Sequence, residues 1–152
     1  MADSSPWIRF IMSPAGARID KFFVRWFAIS PLSKAYAKAS GIQDRGRYLL
    51  LVTKGRTSGK KRATSLSYFE IDGHLLVVGS GGGAPVDPHW VRNLRADPNV
   101  TIYVDRKACR VRARIPTGEE HAGLWTKLVA GVPTYIELQS QTTREIPLVI
   151  FE

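Results

Sequence analysis

"RYLLLVTKGRTSGKKRATSLSYFEIDGHLLVV", residues 47 to 78, predicts three consecutive antiparallel β-strands. Residues 47 to 53 are rich in apolar β-forming side chains, and the extended pattern resumes after a basic loop. Asp72 and Gly73 form a dipeptide that is typical of a two-residue hairpin turn. The loop itself, KGRTSGKKR (residues 54 to 62), carries five cations and no carboxylate. This composition favours an anionic ligand, and a solvated hairpin tip that promotes solubility is the alternative.

The next segment, GSGGGAPVDPHWVRNLRADPNV (residues 79 to 100), predicts a glycine-rich loop followed by a short helix. Asp87 is expected as the N-cap and Pro88 as the first helical residue. Free N–H groups at such a helix start favour negative charge, so this is a second loop suited to an anion. Trp90 and Asn93 share a helix face and could wall a planar ligand, although ordinary core packing is the alternative for the tryptophan.

The remaining segments predict strands around one more helix. In RKACRVRAR (residues 106 to 114) arginines alternate with apolar residues, which places cations on one face of a strand. Thr117 and Glu120 form a capping box for a helix that should stop at Gly131. Short strands with inserted helices indicate an α+β fold, a small barrel of mostly antiparallel strands. Strands are expected at residues 100 to 104, 108 to 115 and 146 to 152.

Residues 17 to 39 predict an amphipathic helix, which places an N-terminal segment (residues 1 to 40) before a barrel domain (residues 41 to 152). Its apolar side chains fall on one face and its cations on the other. Such a helix either lies on an anionic membrane surface or folds its apolar face onto the barrel or a partner subunit, and we favour the second arrangement. The apolar residues are Ile19, Phe22, Phe23, Trp26 and Phe27, and the cations are Arg18, Lys21 and Arg25.

The composition fits one domain with an anionic partner. The chain has 152 residues and a formal net charge of +9, and its sequence pI is about 10.1. Its single cysteine, Cys109, and its scattered histidines predict neither a disulfide nor a metal site and suit a reducing cytoplasm. Charged residues interrupt the N-terminal apolar stretches, so we expect no signal peptide and no membrane span.

No catalytic motif accompanies the two loops. The sequence lacks a Walker A motif, a GxSxG motif and any pair of carboxylates placed for acid and base catalysis. If the chain is an enzyme, a cofactor is therefore expected to supply the chemistry. Nucleic-acid binding through residues 106 to 114 is disfavoured, because no aromatic residues alternate with the cations to stack on bases.

Three motifs occur in a fixed order along the chain. They are Gly55 to Gly59 with Arg62, then Ser80 to Gly83 followed by Pro88 to Leu94, and finally Arg144 to Pro147. Together they resemble the GRxSG, Ser-x-x-Gly, Pro-x-Trp-x-x-Asn-Leu and Arg-x-Ile-Pro motifs of the deazaflavin-dependent nitroreductase family. Members of that family bind coenzyme F420 in a split β-barrel related to the FMN-binding barrel. The resemblance covers roughly residues 47 to 152.

The resemblance implies that the chain binds reduced coenzyme F420, whose phosphodiester and oligoglutamate tail are anionic. It further implies hydride transfer from C5 of the deazaflavin to an electron-poor small molecule such as an enone, quinone or nitro compound. Ser80 and Tyr135 are the candidates to orient the acceptor or to pass the proton. The residues expected to hold the phosphate and tail are Arg56, Thr57, Lys60, Arg62 and the neighbouring Lys54, and those expected along the deazaflavin are Ser65, Ser80, Gly81, Gly82, Pro88, His89, Trp90 and Asn93.

The chain also departs from the family pattern. Thr57 and Gly81 stand where many relatives carry lysine, so we expect two contacts to the tail either to be missing or to be made by Lys54 or Lys61. Val132 and Leu138 replace tyrosines of nitroimidazole-reducing relatives. We therefore expect weak turnover of nitroimidazoles and better activity on enones or quinones.

Two other functions stay open at this point. A non-catalytic carrier could hold F420 or a lipid in the same barrel, and an FMN-dependent reductase could use the same fold. The resemblance does not identify the acceptor or establish whether protomers form a homodimer. A lipid quinone as acceptor would suit a cytoplasmic protein that associates with the inner face of the cell membrane.

Overall fold

A closed barrel of antiparallel strands forms the centre of the computed structural model, which describes residues 13–27, 30–32 and 47–152. The strands are β1 (Tyr48–Lys54), β2 (Lys61–Ile71), β3 (His74–Val78), β4 (Asn99–Val104), β5 (Lys107–Arg114) and β6 (Leu148–Phe151). The helices are α1 (Pro14–Phe27), α2 (His89–Ala96), α3 (Gly118–Gly131) and α4 (Thr134–Ser140), with a 3-10 turn at Gly81–Gly83. Neighbouring strands follow the order β1-β2-β3-β6-β5-β4 around the barrel. The predicted α+β barrel is confirmed.

The first three strands follow the local pattern of the sequence. β1 pairs with β2 along its whole length and ends with Lys54 opposite Lys61, so the basic loop projects from the end of this pair. Asp72 and Gly73 have φ angles of 53° and 78°, the left-handed conformations that a two-residue hairpin turn of type I′ requires. The predicted hairpin between β2 and β3 is confirmed.

Alternation along β3 and β6 sorts apolar side chains between two cores. Val77 and Val149 belong to the cluster inside the barrel, which Trp90 of α2 also joins. Their neighbours Leu76 and Leu148 face outward and are covered by α3. All four aliphatic side chains are fully buried, and each contributes about 1.5 to 3 kcal/mol to folding through this burial. The outer core consists of Leu76, Val78, Leu124, Leu128, Ile146, Leu148 and Ile150.

Helix α1 packs on the outside of β1 and β2 through a narrow line of buried residues. Gly16, Asp20 and Val24 are its buried residues, and they repeat every four positions along one line of the helix. Val24 packs against Tyr48 of β1, while Asp20 accepts a 2.7 Å hydrogen bond from Ser30 Oγ. This line, and not the aromatic face, holds the helix to the barrel.

The predicted apolar face of α1 is exposed to solvent. Its members are between 37% and 57% exposed, so the favoured packing of this face onto the barrel is wrong. The rings of Phe22, Phe23 and Phe27 contact one another instead. Packing of this face on a partner subunit stays a prediction. Residues 28, 29 and 33 to 39 of the predicted helix lie outside the described residues.

The predicted N-cap of α2 is wrong because long-range ion pairs occupy its carboxylate. Asp87 binds Arg144 at 3.0 Å and Arg95 at 2.9 Å. The cap position falls to Pro88, whose ψ of 152° is extended, and the helix begins at His89.

The predicted capping box of α3 is wrong because an ion pair occupies its carboxylate as well. Thr117 does occupy the N-cap position, but its side chain makes no capping hydrogen bond. Glu120 accepts a 2.7 Å hydrogen bond from Arg114 of β5, which holds the pKa of the Glu120 carboxyl below its ordinary value. Glu120 therefore links α3 to the barrel instead of capping the helix.

Replacing Gly79 with alanine should destabilise the protein by about 1 to 3 kcal/mol. An added Cβ would lie 2.8 Å from Pro147 Cγ and 2.9 Å from Val91 Cγ2, at the point where β3 leads into the glycine-rich loop. The matched control is Gly123→Ala in α3, where an added Cβ meets no atom within 4 Å. This control should stabilise the helix by up to about 1 kcal/mol. Urea unfolding of both variants measures the difference, and equal stabilities would contradict the close approach at Gly79.

Candidate functional site

The basic loop between β1 and β2 is a closed, hydrogen-bonded turn. The Gly55 N–H donates to the Lys60 carbonyl at 2.8 Å, and the Gly59 N–H donates to the Gly55 carbonyl at 2.7 Å. Gly59 has a φ of 67°, which glycine adopts without steric cost. A Cβ on Gly55 would lie 2.7 Å from Ser58 Oγ. Both glycines of the GRTSG motif therefore suit the shape of this turn.

This loop and helix α2 form the walls of a cleft of about 480 Å³. The volume lies within the range of about 300 to 1,000 Å³ that is typical of small-molecule sites. Its lining comes from the loop, the start of β2 and one face of α2. The lining residues are Gly55, Arg56, Thr57, Ser58, Arg62, Ala63, Thr64, His89, Trp90 and Asn93.

Asn93 joins the two walls of the cleft. Its Oδ1 accepts hydrogen bonds from the backbone N–H and from Nη1 of Arg56, each at 3.2 Å. Its Nδ2 donates to Thr53 Oγ1 of β1 at 3.1 Å. Asn93 is only 4% exposed, so these bonds satisfy an amide that solvent barely reaches. The position of the Arg56 side chain is thereby fixed before any ligand binds.

The cations of the loop keep their charge uncompensated within the part of the chain that the structure describes. Lys54, Arg56, Lys60, Lys61 and Arg62 form no ion pair there, and all five are exposed. Arg114, the last arginine of β5, differs, because it binds the carboxylates of Glu120 and Glu152. The loop therefore presents a concentrated positive potential to the cleft.

The cleft brings together part of the predicted site. The predicted residues in its lining are Arg56, Thr57, Arg62, His89, Trp90 and Asn93. Lys54 and Lys60 belong to the same loop but do not line the cleft. Trp90 is 7% exposed and joins the barrel core, so it is both a core residue and part of the cleft wall.

Some residues of the site were not selected as contacts from the sequence. The glycine motif itself was a signal for Gly55 and Ser58, which shape the loop. Ala63 and Thr64 gave no such signal, because only the pairing of β2 with β1 places them at the cleft. Thr53 was missed for the same reason, since its role depends on a contact with α2.

Ser65 lies outside the lining of the cleft. It stands opposite Leu50 in the β1–β2 register, on the face of the sheet that α1 covers. Its Oγ is buried and has no hydrogen-bond partner among the described residues. A buried hydroxyl of this kind costs free energy until a partner binds it.

The predicted residues of the glycine-rich loop form a second region, between β3 and α2. The φ angles of Gly81 and Gly82 are 56° and 66°, in the left-handed region. A Cβ on Gly83 would lie 2.7 Å from Gln141 Oε1, which shows how closely the segment after α4 approaches this turn. The predicted residues in this region are Ser80, Gly81, Gly82 and Pro88.

Tyr135 lies on α4, a helix that contacts the same turn, and it is not in the lining of the cleft. Its ring packs edge to face on Phe69, with 5.9 Å between centroids, and 6.4 Å from Trp125. Burial raises the pKa of the Tyr135 phenol to about 12, so its hydroxyl keeps its proton at neutral pH. Its catalytic role stays a prediction.

Neither a metal centre nor a membrane span is found in the described ranges. No group of three or more histidine, cysteine, aspartate or glutamate side chains is arranged there to hold a metal ion. No helix among those residues combines the length and the apolar character needed to cross a bilayer.

Comparison with known proteins finds F420-dependent reductases. A quinone reductase of Mycobacterium tuberculosis that is F420H(2)-dependent is 38% identical over 105 residues, which cover 67% of this chain and 70% of that protein. A solved F420-H2 dependent reductase, FDR-A, is 38% identical with a TM-score of 0.62, and the match covers 73% of this chain and 97% of that chain. A solved domain-swapped dimer is 35% identical with a TM-score of 0.62, over 80% of this chain and 90% of that chain.

The family profile described as F420H(2)-dependent quinone reductase matches residues 33–152. The match begins upstream of residue 47, where the resemblance seen in the sequence starts. Its description names reduced coenzyme F420 as the cofactor and quinones as the acceptors, and it does not name nitro compounds. The predicted relationship to F420-dependent oxidoreductases is confirmed, and the chain belongs to the F420H(2)-dependent quinone reductase family.

Proposed function

We propose that this chain reduces a quinone, or a related electron-poor small molecule, with coenzyme F420 as the electron donor. The observation that carries the proposal is the cleft, where Arg56 and Arg62 border a ligand-sized space and have no carboxylate partner among the described residues. Family membership supports the choice of cofactor and of acceptor class.

The chemistry of the cleft fits the tail of F420. A phosphodiester and glutamate carboxylates are anions, and arginine binds such groups through paired hydrogen bonds. Because Asn93 holds Arg56 through a neutral amide, the charge of Arg56 stays available to the ligand. The hydroxyls of Thr57 and Ser58 add neutral groups to the same wall. A contact of Ser65 to the deazaflavin stays a prediction, because its Oγ is buried on the face of β2 that α1 covers.

Reduced F420, when bound, supplies a hydride from C5 of its deazaflavin. The chain's own residues bind the cofactor and the acceptor, orient them and provide protons. The Ser80 hydroxyl has no described hydrogen-bond partner, and the Tyr135 phenol is protonated at neutral pH. Either hydroxyl can donate a hydrogen bond to the acceptor oxygen on which negative charge develops, and either can pass a proton to it. We assign the acceptor to this side of the molecule.

Two alternatives make different predictions about the same cleft. A carrier of F420 or of a lipid would bind its ligand without turnover. An FMN-dependent reductase would retain FMN, which ends in a single phosphate and can pair with only some of these cations. The five cations of the loop, which form no ion pair with any residue that the structure describes, favour a ligand with a longer anionic tail. Weak activity on nitroimidazoles stays a prediction.

The double variant Arg56→Gln with Arg62→Gln should bind F420 at least about a hundredfold more weakly, because each lost charge-assisted contact costs about 1.5 to 3 kcal/mol. Titration of F420 fluorescence measures this affinity. The affinity of the wild type for F420 should decrease as the salt concentration rises, because ions screen the charged contacts. The affinity of the variant should change little.

The matched control removes the same charge from β5, as Arg110→Gln with Arg112→Gln. Both arginines are exposed and neither lines the cleft, so F420 affinity should stay within about threefold of wild type. Equal losses in the two double variants would show that net charge, and not the cleft, governs binding. An unchanged affinity in the cleft variant would exclude this site for the tail.

If Tyr135 passes the proton, Tyr135→Phe should lower kcat for quinones by about a hundredfold. F420 affinity should not change, because Tyr135 does not line the cleft. With a pKa of about 12, the phenol remains a proton donor throughout the neutral and mildly alkaline range, so the wild-type rate should lose this donor only as the pH approaches 12. Steady-state rates with several quinones, compared with Ser80→Ala, measure the effect. Unchanged kcat and KM in Tyr135→Phe would remove Tyr135 from the reaction.

We further propose that the exposed face of α1 meets an anionic membrane surface. Its aromatic side chains are about half exposed although they are large and apolar. Arg18 and Arg25 are exposed on the same helix, and Arg25 also lies over the ring of Tyr103 at 4.9 Å. An interfacial helix combines such an aromatic face with neighbouring cations, and a quinone dissolved in lipid would then be within reach.

Replacing Phe22, Trp26 and Phe27 together with serine should abolish sedimentation with vesicles that contain anionic lipid. Each buried aromatic side chain contributes about 1.5 to 3 kcal/mol to insertion, so the loss should exceed about a hundredfold in the partition coefficient. Thermal unfolding should stay near that of wild type, since these side chains are exposed. The membrane proposal would be contradicted if the wild type did not sediment with vesicles but formed a dimer, and if the triple variant were monomeric.

A further inference from the structure

The guanidinium group of Arg144 binds both ends of the glycine-rich loop. Its Nη2 donates to the carbonyls of Ser80 at 2.7 Å and Gly79 at 3.1 Å, and its Nε donates to the Ala84 carbonyl at 2.9 Å. Its Nη1 forms a 3.0 Å ion pair with Asp87. The Arg144 side chain is 14% exposed, so these bonds are shielded from water. One planar group thus ties the start of the loop to its end.

Three consecutive glycines give the loop little conformational preference of its own. Gly81, Gly82 and Gly83 all have positive φ angles, and glycine loses more conformational freedom on folding than any other residue. Within the loop, the Gly83 N–H donates to the Ser80 carbonyl at 3.0 Å. No atom lies within 4 Å of a Cβ built on Gly82, so neighbouring side chains do not support that position. Arg144 supplies the side-chain hydrogen bonds that join the two ends of this loop.

Arg144 also determines which backbone groups point outward. A trans peptide places its carbonyl and its N–H on opposite sides. Because Arg144 takes the carbonyls of Gly79 and Ser80, the N–H groups of Ser80 and Gly81 point away from it. Neither N–H has a hydrogen-bond acceptor among the described residues. The Ser80 hydroxyl also has no hydrogen-bond partner there. Three polar groups are thus presented together on the outer side of the turn.

We propose that Arg144 is a positioning residue for quinone reduction. It holds the turn so that the N–H groups of Ser80 and Gly81 and the Ser80 hydroxyl meet the acceptor oxygen at bonding distance. This inference rests on the proposed function and assigns a role to a residue outside the cleft. Displacement of reacting groups by about 1 Å can cost about a hundredfold in rate. Since other residues bind the tail, the effect falls on kcat and not on F420 affinity.

The test compares Arg144→Lys with Arg95→Lys. Lysine keeps the charge opposite Asp87, but its single ammonium cannot reach the three carbonyls at once. Arg95 binds the other oxygen of the same carboxylate at 2.9 Å and is 52% exposed, which makes it the matched control. With menadione as acceptor, Arg144→Lys should lower kcat by about tenfold to a hundredfold. F420 affinity, from fluorescence titration, should stay within about threefold, and Arg95→Lys should match wild type in both measurements.

A second variant adds a readout that needs no turnover. In Arg144→Ala, hydrogen exchange of residues 79 to 87 in the cofactor-free protein should become faster than in wild type. Methylguanidinium at non-denaturing concentration should slow this exchange again and restore part of kcat, while it leaves wild type unchanged. If the alanine variant does not fold, the same test is made with Arg144→Lys, through its kcat, its F420 affinity and the hydrogen exchange of residues 79 to 87.

An active wild type with an unchanged kcat in Arg144→Lys would overturn this role and leave the proposed function standing. A parallel loss of kcat and F420 affinity would also overturn it, because general damage to the protein would produce that result. A wild type that binds F420 but reduces no quinone would refute the proposed function and, with it, the role of Arg144.

Discussion

The buried side-chain amide of Asn93 is the contact on which the candidate site depends. It fixes Arg56 through two hydrogen bonds and anchors itself to Thr53 of the barrel. A carboxylate at this position would also hold Arg56, but it would cancel the charge that an anionic ligand needs. The neutral amide orients the cation and leaves its charge intact. If the amide were lost, the Thr53 hydroxyl and the Arg56 N–H would each lose a partner, at a cost of about 1 to 3 kcal/mol for each group that stays buried.

Helix α2 connects this contact to the glycine-rich turn. Arg144 holds the loop that leads into the helix, and Asn93, one turn into the helix, holds the basic loop on the other side. Trp90 lies between them and packs into the barrel core. The two loops that the sequence marks as suited to anions are therefore parts of one rigid arrangement.

Local patterns in the sequence predict the barrel well. The strands follow from runs of apolar β-forming residues, and Asp72 with Gly73 specifies the hairpin because both residues tolerate a positive φ. The two errors in helix capping arise where an arginine outside the helix competes for the carboxylate. Arg144 is 57 positions from Asp87, and Arg114 precedes Glu120 by six positions, but the sequence shows neither pairing. The orientation of α1 was missed because periodicity identifies an apolar face but not what covers it. Helix α4 was not predicted.

The candidate site likewise contains residues that the sequence predicts and residues that it does not. The residues on the basic loop and on α2 belong to recognisable motifs, and six of the predicted contacts meet in the cleft, from Arg56 to Asn93. Thr53 and Thr64 could not be found in this way, since their roles depend on strand pairing and on contacts between elements far apart in sequence. Tyr135, expected to orient the acceptor or to pass the proton, and Ser65, expected along the deazaflavin, lie outside the lining of the cleft, on α4 and beneath α1, and their roles stay predictions. The order in which strands meet also bears on how the protein folds. β6 is inserted between β3 and β5, so Leu75 pairs with Phe151, 76 positions further along the chain. Such non-local pairing raises the contact order of the barrel, and a higher contact order slows folding because the chain must close long loops before β6 can pair with β3.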